Sequence, residues 1–185
     1  MDRRIYRIIA SGAGGVAIVA SGMLIGGSPS GMLIGGSPAS AATLDCAARG
    51  SDRNGQDQTM VDGHSACRAV VDPTSSAISH VEQDGIGVAD ARDGGMAAGF
   101  GLFGGVGAAE ARGGMLAAFA FGPDSLALGR TTSSPFSVVL SGPGGRAAVG
   151  DADVGAICDG GPSLAFNVAT GQGCFNDGTS TWALP

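Results

Sequence analysis

The chain has 185 residues, of which 35 are glycine, and it carries a formal net charge of −6 at pH 7. Its ten basic residues are all arginine, and three of these lie within the first seven positions. An acidic chain is repelled by nucleic acid and by anionic lipid surfaces. The composition therefore excludes both as partners.

Residues 1–42 have the layout of a secretory signal peptide. A basic start is followed by a long apolar run, and the small residues at 39–42 precede an expected cleavage after Ala42. Glycine and proline interrupt the apolar run, which disfavours a membrane-spanning helix and stable membrane insertion after cleavage. We therefore predict a secreted protein, free in the medium or held in the cell envelope.

Residues 43–80 are predicted to form an irregular, cysteine-bearing N-terminal segment. Within it, Gly-His-Ser-Ala-Cys at 63–67 nearly matches the Gly-x-Ser-x-Gly elbow of lipases, with Ser65 as the nucleophile and His80 and Asp72 as partners. That elbow needs a strand, a sharp turn and a helix, and its last glycine makes room for the turn. Here a cysteine takes that place and no helix pattern follows. An esterase-like hydrolase is a remote alternative, and no catalytic residue is predicted.

Residues 81–185 are predicted to form a Gly/Ala-rich β-repeat domain whose C-terminal end is bounded by cysteines. Paired glycines recur every nine or ten residues, and between them apolar residues alternate with period two, as at 96–102 and 115–121. Alternation with regular turns indicates strands. A segment starting at Ala89 returns at Ala109, a shift of 20 residues. The pattern predicts an all-β fold, either a β-solenoid with small residues inside or a meander or sandwich.

Residues 99–104 read Gly-Phe-Gly-Leu-Phe-Gly and match the letters of the dinucleotide-binding fingerprint. That site needs a helix N-terminus within a parallel βαβ unit, and the surrounding pattern offers neither. We interpret the segment as a strand with glycines on one face, which allows another backbone to approach closely. No cofactor is predicted.

Four cysteines follow the leader, and outside the cell they indicate two disulfides with three possible pairings. We predict Cys46–Cys67 and Cys158–Cys174, since local pairing closes two short loops. A metal site is the rival interpretation, but thiolate coordination is disfavoured in an oxidising compartment. No metal is predicted, and the disulfides are expected to staple both ends of the repeat.

Two features could bind a ligand outside the cell. Asp151, Asp153 and Asp159 place carboxylates near glycines, although their spacing misses the known calcium loops. Trp182 lies near the C-terminus and either caps the last coil or stacks on a sugar. These four residues are the candidate ligand-binding set.

The segment Asp-Ser-Leu-Ala-Leu-Gly at 124–129 resembles the Ser-x-Ala-x-Gly coil of trimeric autotransporter adhesin heads, which are β-solenoids. The stalk and anchor of that family are not recognised, so its mode of adhesion is not implied. The leader, the early cysteine pair, the Gly/Ala repeats and the cysteine-bounded end are together similar to small secreted actinobacterial proteins of unknown function. That resemblance implies no activity.

These features predict a secreted, non-catalytic structural or interaction protein of the cell envelope or medium. They identify no partner, and the envelope and another copy of the chain are both candidates. The alternative is an extracellular module that binds a glycan or calcium. Convergence of Trp182 with the acidic residues would favour the alternative. A hydrogen bond between Ser65 and His80 in a cleft would favour the hydrolase.

Overall fold

The computed structural model describes residues 42–50, 56–123, 125–132, 135–150 and 155–184. These residues form strands and turns, with no helix among them, which confirms the prediction of an all-β fold. The strands are β1 (Thr43–Arg49), β2 (Gln56–Asp62), β3 (Ser65–Val71), β4 (Ser76–Glu82), β5 (Ile86–Arg92), β6 (Met96–Leu102), β7 (Val106–Arg112), β8 (Met115–Phe121), β9 (Leu126–Thr132), β10 (Phe136–Ser141), β11 (Gly145–Val149), β12 (Ala156–Gly160), β13 (Pro162–Asn167), β14 (Gly173–Asp177) and β15 (Thr181–Leu184).

The strands lie in two sheets, and the chain alternates between them. The eight-stranded sheet has the order β1-β4-β6-β8-β10-β13-β14-β15, and the seven-stranded sheet has the order β12-β11-β9-β7-β5-β3-β2. Neighbours from β4 to β10 in the first sheet and from β3 to β11 in the second are parallel. Each coil thus adds one strand to each sheet. The solenoid prediction is confirmed, and antiparallel pairs close the two ends of the stack.

The sequence repeat sets the register of this stack. Ala89 pairs with Ala109 in the seven-stranded sheet, and Ala98 pairs with Ala117 in the eight-stranded sheet, so equivalent residues of successive coils lie side by side. At the turn after β5, Gly94 has a φ of 77°. This left-handed conformation suits glycine because a Cβ would be strained there. Residues that recur in the sequence are therefore stacked in rows along the solenoid axis.

The interior between the sheets is very thin, and small side chains fill it. A Cβ placed on Gly99 would lie 2.1 Å from the carbonyl oxygen of Val88, and one on Gly101 would lie 2.1 Å from that of Ile86. The backbones of the two sheets are therefore in contact at these glycines. This confirms the interpretation of residues 99–104 as a strand that permits close backbone approach. Most of the buried apolar positions are alanine.

Two disulfides join the sheets at opposite ends of the stack. Cys46 on β1 bonds to Cys67 on β3, and Cys158 on β12 bonds to Cys174 on β14. In each bridge one cysteine belongs to the eight-stranded sheet and the other to the seven-stranded sheet. Both predicted pairings are confirmed. A loop of this size contributes about 3 kcal/mol of stability by restricting the unfolded chain.

The N-terminal segment differs from its prediction, because its described residues, 43–50 and 56–80, are not irregular. They form β1, β2 and β3 and most of β4, which itself crosses the predicted boundary at residue 80. Their inward residues are small, as with Ser65 and Ala69, and their outward residues are mostly polar. The contrast in hydropathy between the two faces is therefore weak, and the period-two signal is hidden.

Candidate functional site

The predicted ligand-binding residues are not brought together on one surface. Asp151 and Asp153 lie outside the described residues. Asp159 is exposed on β12 at the edge of the seven-stranded sheet, and its carboxylate accepts a hydrogen bond from the backbone N–H of Gly160 at 2.8 Å. Trp182 lies on the outer side of the eight-stranded sheet, 47% exposed, with its ring stacked on Phe175 at 5.5 Å. Asp159 and Trp182 therefore face opposite sides of the molecule.

No group of three or more histidine, cysteine or acidic side chains is placed to hold a metal ion within the described ranges. Across those ranges there is also no helix with the length and apolarity needed to span a bilayer.

The residues of the remote hydrolase hypothesis do not contact one another in the structure. Ser65 is fully buried, and its hydroxyl accepts a hydrogen bond from the backbone N–H of Asp84 at 3.1 Å. The Asp72 carboxylate accepts hydrogen bonds from the backbone N–H groups of Thr74 and Asp93 at a turn. A hydrogen bond from the side chain of Ser75, together with these backbone bonds, holds the pKa of Asp72 well below its usual range. Asp72 thus stabilises a corner of the coil.

His80 belongs to a small charged cluster near one end of the eight-stranded sheet. Its Nδ1 lies 2.6 Å from Oδ1 of Asp45, and its Nε2 lies 3.2 Å from Oε1 of Glu82. The hydrogen bond with Asp45, aided by Glu82, raises the pKa of His80 above its ordinary value, although partial burial opposes the shift. Next to this cluster, on the outer side of β6, lies Phe100, whose ring centroid is 6.3 Å from that of His80.

The feature that the sequence reasoning missed is the outer side of the eight-stranded sheet, which we call the apolar face. Its side chains form four rows that cross the strands. The methionine row contains Met96, Met115, Phe136 and Val168; the alanine row Ile78, Ala98, Ala117, Val138 and Phe166; the phenylalanine row His80, Phe100, Phe119, Leu140, Leu164, Phe175 and Trp182; and the end row Glu82, Leu102, Phe121, Gly142 and Pro162.

The four central strands of the apolar face, β6, β8, β10 and β13, point no charged side chain outward. The rings of Phe100 and Phe119 stack with centroids 4.4 Å apart and planes within 5°. Several large side chains are substantially open to solvent, including Met96 at 49% and Phe136 at 40%. Period-two alternation was correctly predicted here, but most of the larger apolar residues lie outside, because the thin interior holds mainly small side chains, with Leu116 and Val139 as exceptions.

A groove runs across the strands on the apolar face. It has a volume of about 660 Å³, and its floor includes Ala98 and Ala117. Met96, Met115 and Phe136 line it on one side. The alanine row is low because its central side chains are single methyl groups, while the neighbouring phenylalanine row stands higher. Over β6 and β8 the face therefore has a groove and a ridge that run parallel to each other, and beyond β8 the alanine row continues with the larger Val138 and Phe166.

The outer side of the seven-stranded sheet has a different chemistry, because it carries a ladder of ion pairs. Arg92 contacts Asp90 at 3.0 Å, and on the next strand Arg112 contacts Glu110 at 3.3 Å. Arg68 and Asp57 form another pair nearby. The outer side of the seven-stranded sheet also holds apolar residues, with Ile86, Val106 and Leu126 side by side. The two surfaces differ because charge is present on the central strands of this sheet, whereas β6, β8, β10 and β13 carry none outward.

Comparison with known proteins gives a family without an activity. Neither a curated protein nor a solved structure matches the chain, so the likeness to adhesin heads remains a prediction. A model described as a family of unknown function (DUF6764) matches residues 1–177. The match covers nearly the whole chain, and the protein therefore belongs to this family.

Proposed function

We propose that the protein is a secreted, non-catalytic interaction protein of the cell envelope or medium, and that the apolar face is its binding surface. The observation that carries this proposal is the absence of outward charge on β6, β8, β10 and β13 within the described strands. A sheet face of this kind is ordinarily covered by another layer of structure. No described part of the chain covers it.

The size of the apolar face supports a binding role. Eight strands spaced about 4.8 Å apart, with some six residues each, give a face of roughly 750 Å², of which the four strands without outward charge form roughly half. An apolar patch of a few hundred Å² is as large as the largest on a typical monomeric protein, and such patches are often functional. Aromatic residues and methionine, which are enriched in interface centres, make up much of the phenylalanine and methionine rows.

The two disulfides support the proposed location outside the cell. Both bridges are consistent with an extracellular or otherwise oxidising environment, where such bonds persist. The predicted signal peptide at residues 1–42 supplies a route to that environment. Basic residues that are all arginine, together with abundant alanine and glycine, favour an actinobacterial source. These features support secretion, and the apolar face supports interaction.

A second candidate function, binding of a glycan, is favoured by one observation. The rings of Trp182 and Phe175 are stacked and both are exposed by more than 40%, which gives a platform of the kind that sugar rings contact. The calcium form of this alternative depends on Asp151 and Asp153, which lie outside the described residues. Loss of a measured glycan affinity in Trp182→Ala, with none in Trp182→Phe, would favour this candidate.

The proposed function is tested with anilinonaphthalene sulfonate, a dye whose emission rises on exposed apolar surface. We compare the wild type with Ala117→Arg on the apolar face and with Ala108→Arg on the seven-stranded sheet, over a dilution series. Both alanines are partly buried and point outward, so they are a matched pair. At dilutions where all three proteins sediment as monomers, we expect dye binding by the wild type and by A108R, and much less by A117R. Absence of dye binding by the monomeric wild type would refute the proposal.

A further inference from the structure

We infer that a second copy of the same chain covers the apolar face, and that the two copies pack face to face about a two-fold axis. The axis lies in the plane where the apolar faces of the two copies meet. It is perpendicular to the strands and runs between the alanine row and the phenylalanine row. This inference rests on the proposed function, because it names the partner of the same surface. Its support comes from shape, charge and area.

The parallel groove and ridge make the face complementary to itself. A two-fold axis placed between the two rows exchanges them, so the phenylalanine row of one copy lies over the alanine row of the other. An axis parallel to the strands would instead place ridge on ridge. A closed two-fold contact requires such a self-complementary surface. The first arrangement also aligns the strands of the two copies, as in sheets that pack into sandwiches.

The side chains that this axis brings together are matched in size over the middle of the stack. The axis exchanges the alanine row with the phenylalanine row and the methionine row with the end row, while each residue keeps its position along the stack. On β6 and β8 large side chains therefore meet small or flexible ones: Ala98 meets Phe100, Ala117 meets Phe119, and Met115 meets Phe121. On the flanking strands side chains of similar size meet, Ile78 with His80, Val138 with Leu140 and Phe166 with Leu164.

The charges at the margin of the face also fit this axis. Arg49 extends the methionine row at β1, and it makes no ion pair with any described residue. The axis places it over the end row, next to Glu82 of the second copy. The apolar centre therefore meets apolar centre, and opposite charges meet at the rim. Such an arrangement fixes orientation and register.

The area is sufficient for a stable dimer. A standard specific interface buries about 800 Å² on each partner, and the apolar face offers roughly 750 Å². The aromatic residues of the phenylalanine row, Phe100, Phe119, Phe175 and Trp182, each bury a large apolar area when covered and dominate interface energetics. A dimer of this kind removes most of the exposed apolar side chains of the described chain from water.

The test is sedimentation velocity on the full chain, with size-swapping variants at one opposed pair. Ala117→Phe sets two phenylalanines against each other, and Phe119→Ala leaves a gap. Each single change should weaken the dimer about 100-fold or more, because overpacking and cavities are both costly. The double variant A117F/F119A exchanges large and small within the pair, and we expect it to recover an affinity within about tenfold of the wild type.

The matched control is Ala108→Phe on the seven-stranded sheet, which should dimerise like the wild type. All variants carry the same N-terminal segment, so differences among them report the apolar face. Circular dichroism and thermal melting establish that each variant is folded. Dimerisation with rescue by the double variant supports the inference.

Two results overturn the inference: a wild type that is monomeric up to about 100 μM, well above the dissociation constants of specific dimers, or an oligomer that A117F leaves intact. A monomer that still binds the dye would leave the proposed function standing with another partner. A monomer that binds no dye would remove both proposals.

Discussion

The close approach of the two sheets is best tested by adding one methyl group at Gly99. In Gly99→Ala the new Cβ would lie 2.1 Å from the carbonyl oxygen of Val88, and the next nearest atoms, at 2.8 and 3.1 Å, are also backbone atoms of Val88. No side chain can rotate away, so the sheets must separate by roughly 1 Å to restore van der Waals contact. Overpacking costs about 1–3 kcal/mol in ordinary cores, and we expect the upper end of that range here.

The matched control is Gly94→Ala, which adds the same methyl group where a Cβ would meet nothing within 4 Å. Its φ of 77° leaves only a conformational cost of about 1–2 kcal/mol. The measurement is urea unfolding followed by circular dichroism, with the disulfides intact. A midpoint shift for G99A that is no larger than the shift for G94A would refute the contact between the backbones.

Three further predictions concern covalent and electrostatic stabilisation. Removing the C-terminal bridge in C158S/C174S, whose cysteines are 16 residues apart, should cost about 3 kcal/mol in urea unfolding, and an unchanged midpoint would contradict its stapling role. Because the pKa of Asp72 is lowered in the fold, the ionised carboxylate stabilises the fold at pH values above its ordinary pKa of 3.8. This stabilisation is lost as the pH falls. Asp72→Asn should therefore cost about 1 kcal/mol near neutrality and less in acid, as shown by thermal melts. The raised pKa of His80 has the opposite effect on the pH dependence of stability. Protonated His80 stabilises the fold fully below its ordinary pKa of 6.5, and this stabilisation is lost as the pH rises through the pKa of the folded state. His80→Gln should destabilise more at about pH 5 than at about pH 9, and equal losses would show that the ion pairs contribute nothing.

The repeat region was the part of the fold that the sequence predicted best. Strands at 96–102 and 115–121 and both disulfides are confirmed. The glycine pairs could be recognised as turns because they interrupt an otherwise alternating pattern. The alternation itself could be recognised because one face of these strands carries large residues such as methionine and phenylalanine. The N-terminal strands were missed for the complementary reason. Their inward residues include serine, alanine and cysteine as well as Leu44 and Val71, and their outward residues mix polar side chains with Ala66 and Val70, so neither face stands out.

The apolar face could have been found from the sequence by an argument from volume. A period of two defines two faces but does not say which of them is inside. In β6 one face reads Ala97, Gly99 and Gly101, and the other contains Met96 and Phe100. An interior that accepts glycine cannot hold the larger set, so that set must lie outside. The pairing of rows across strands depends on the register between coils, and this became visible only in the structure.

Because successive coils differ little, the length of this protein is adjustable in steps. Inserting or deleting one unit of about 20 residues changes each row by one residue and moves the ends by about 4.8 Å. The bridges that tie the two sheets are confined to the first and last strands, so they tolerate such a change without new pairing. Relatives with different numbers of units would have the same terminal strands and bridges, and their solenoids would differ in length.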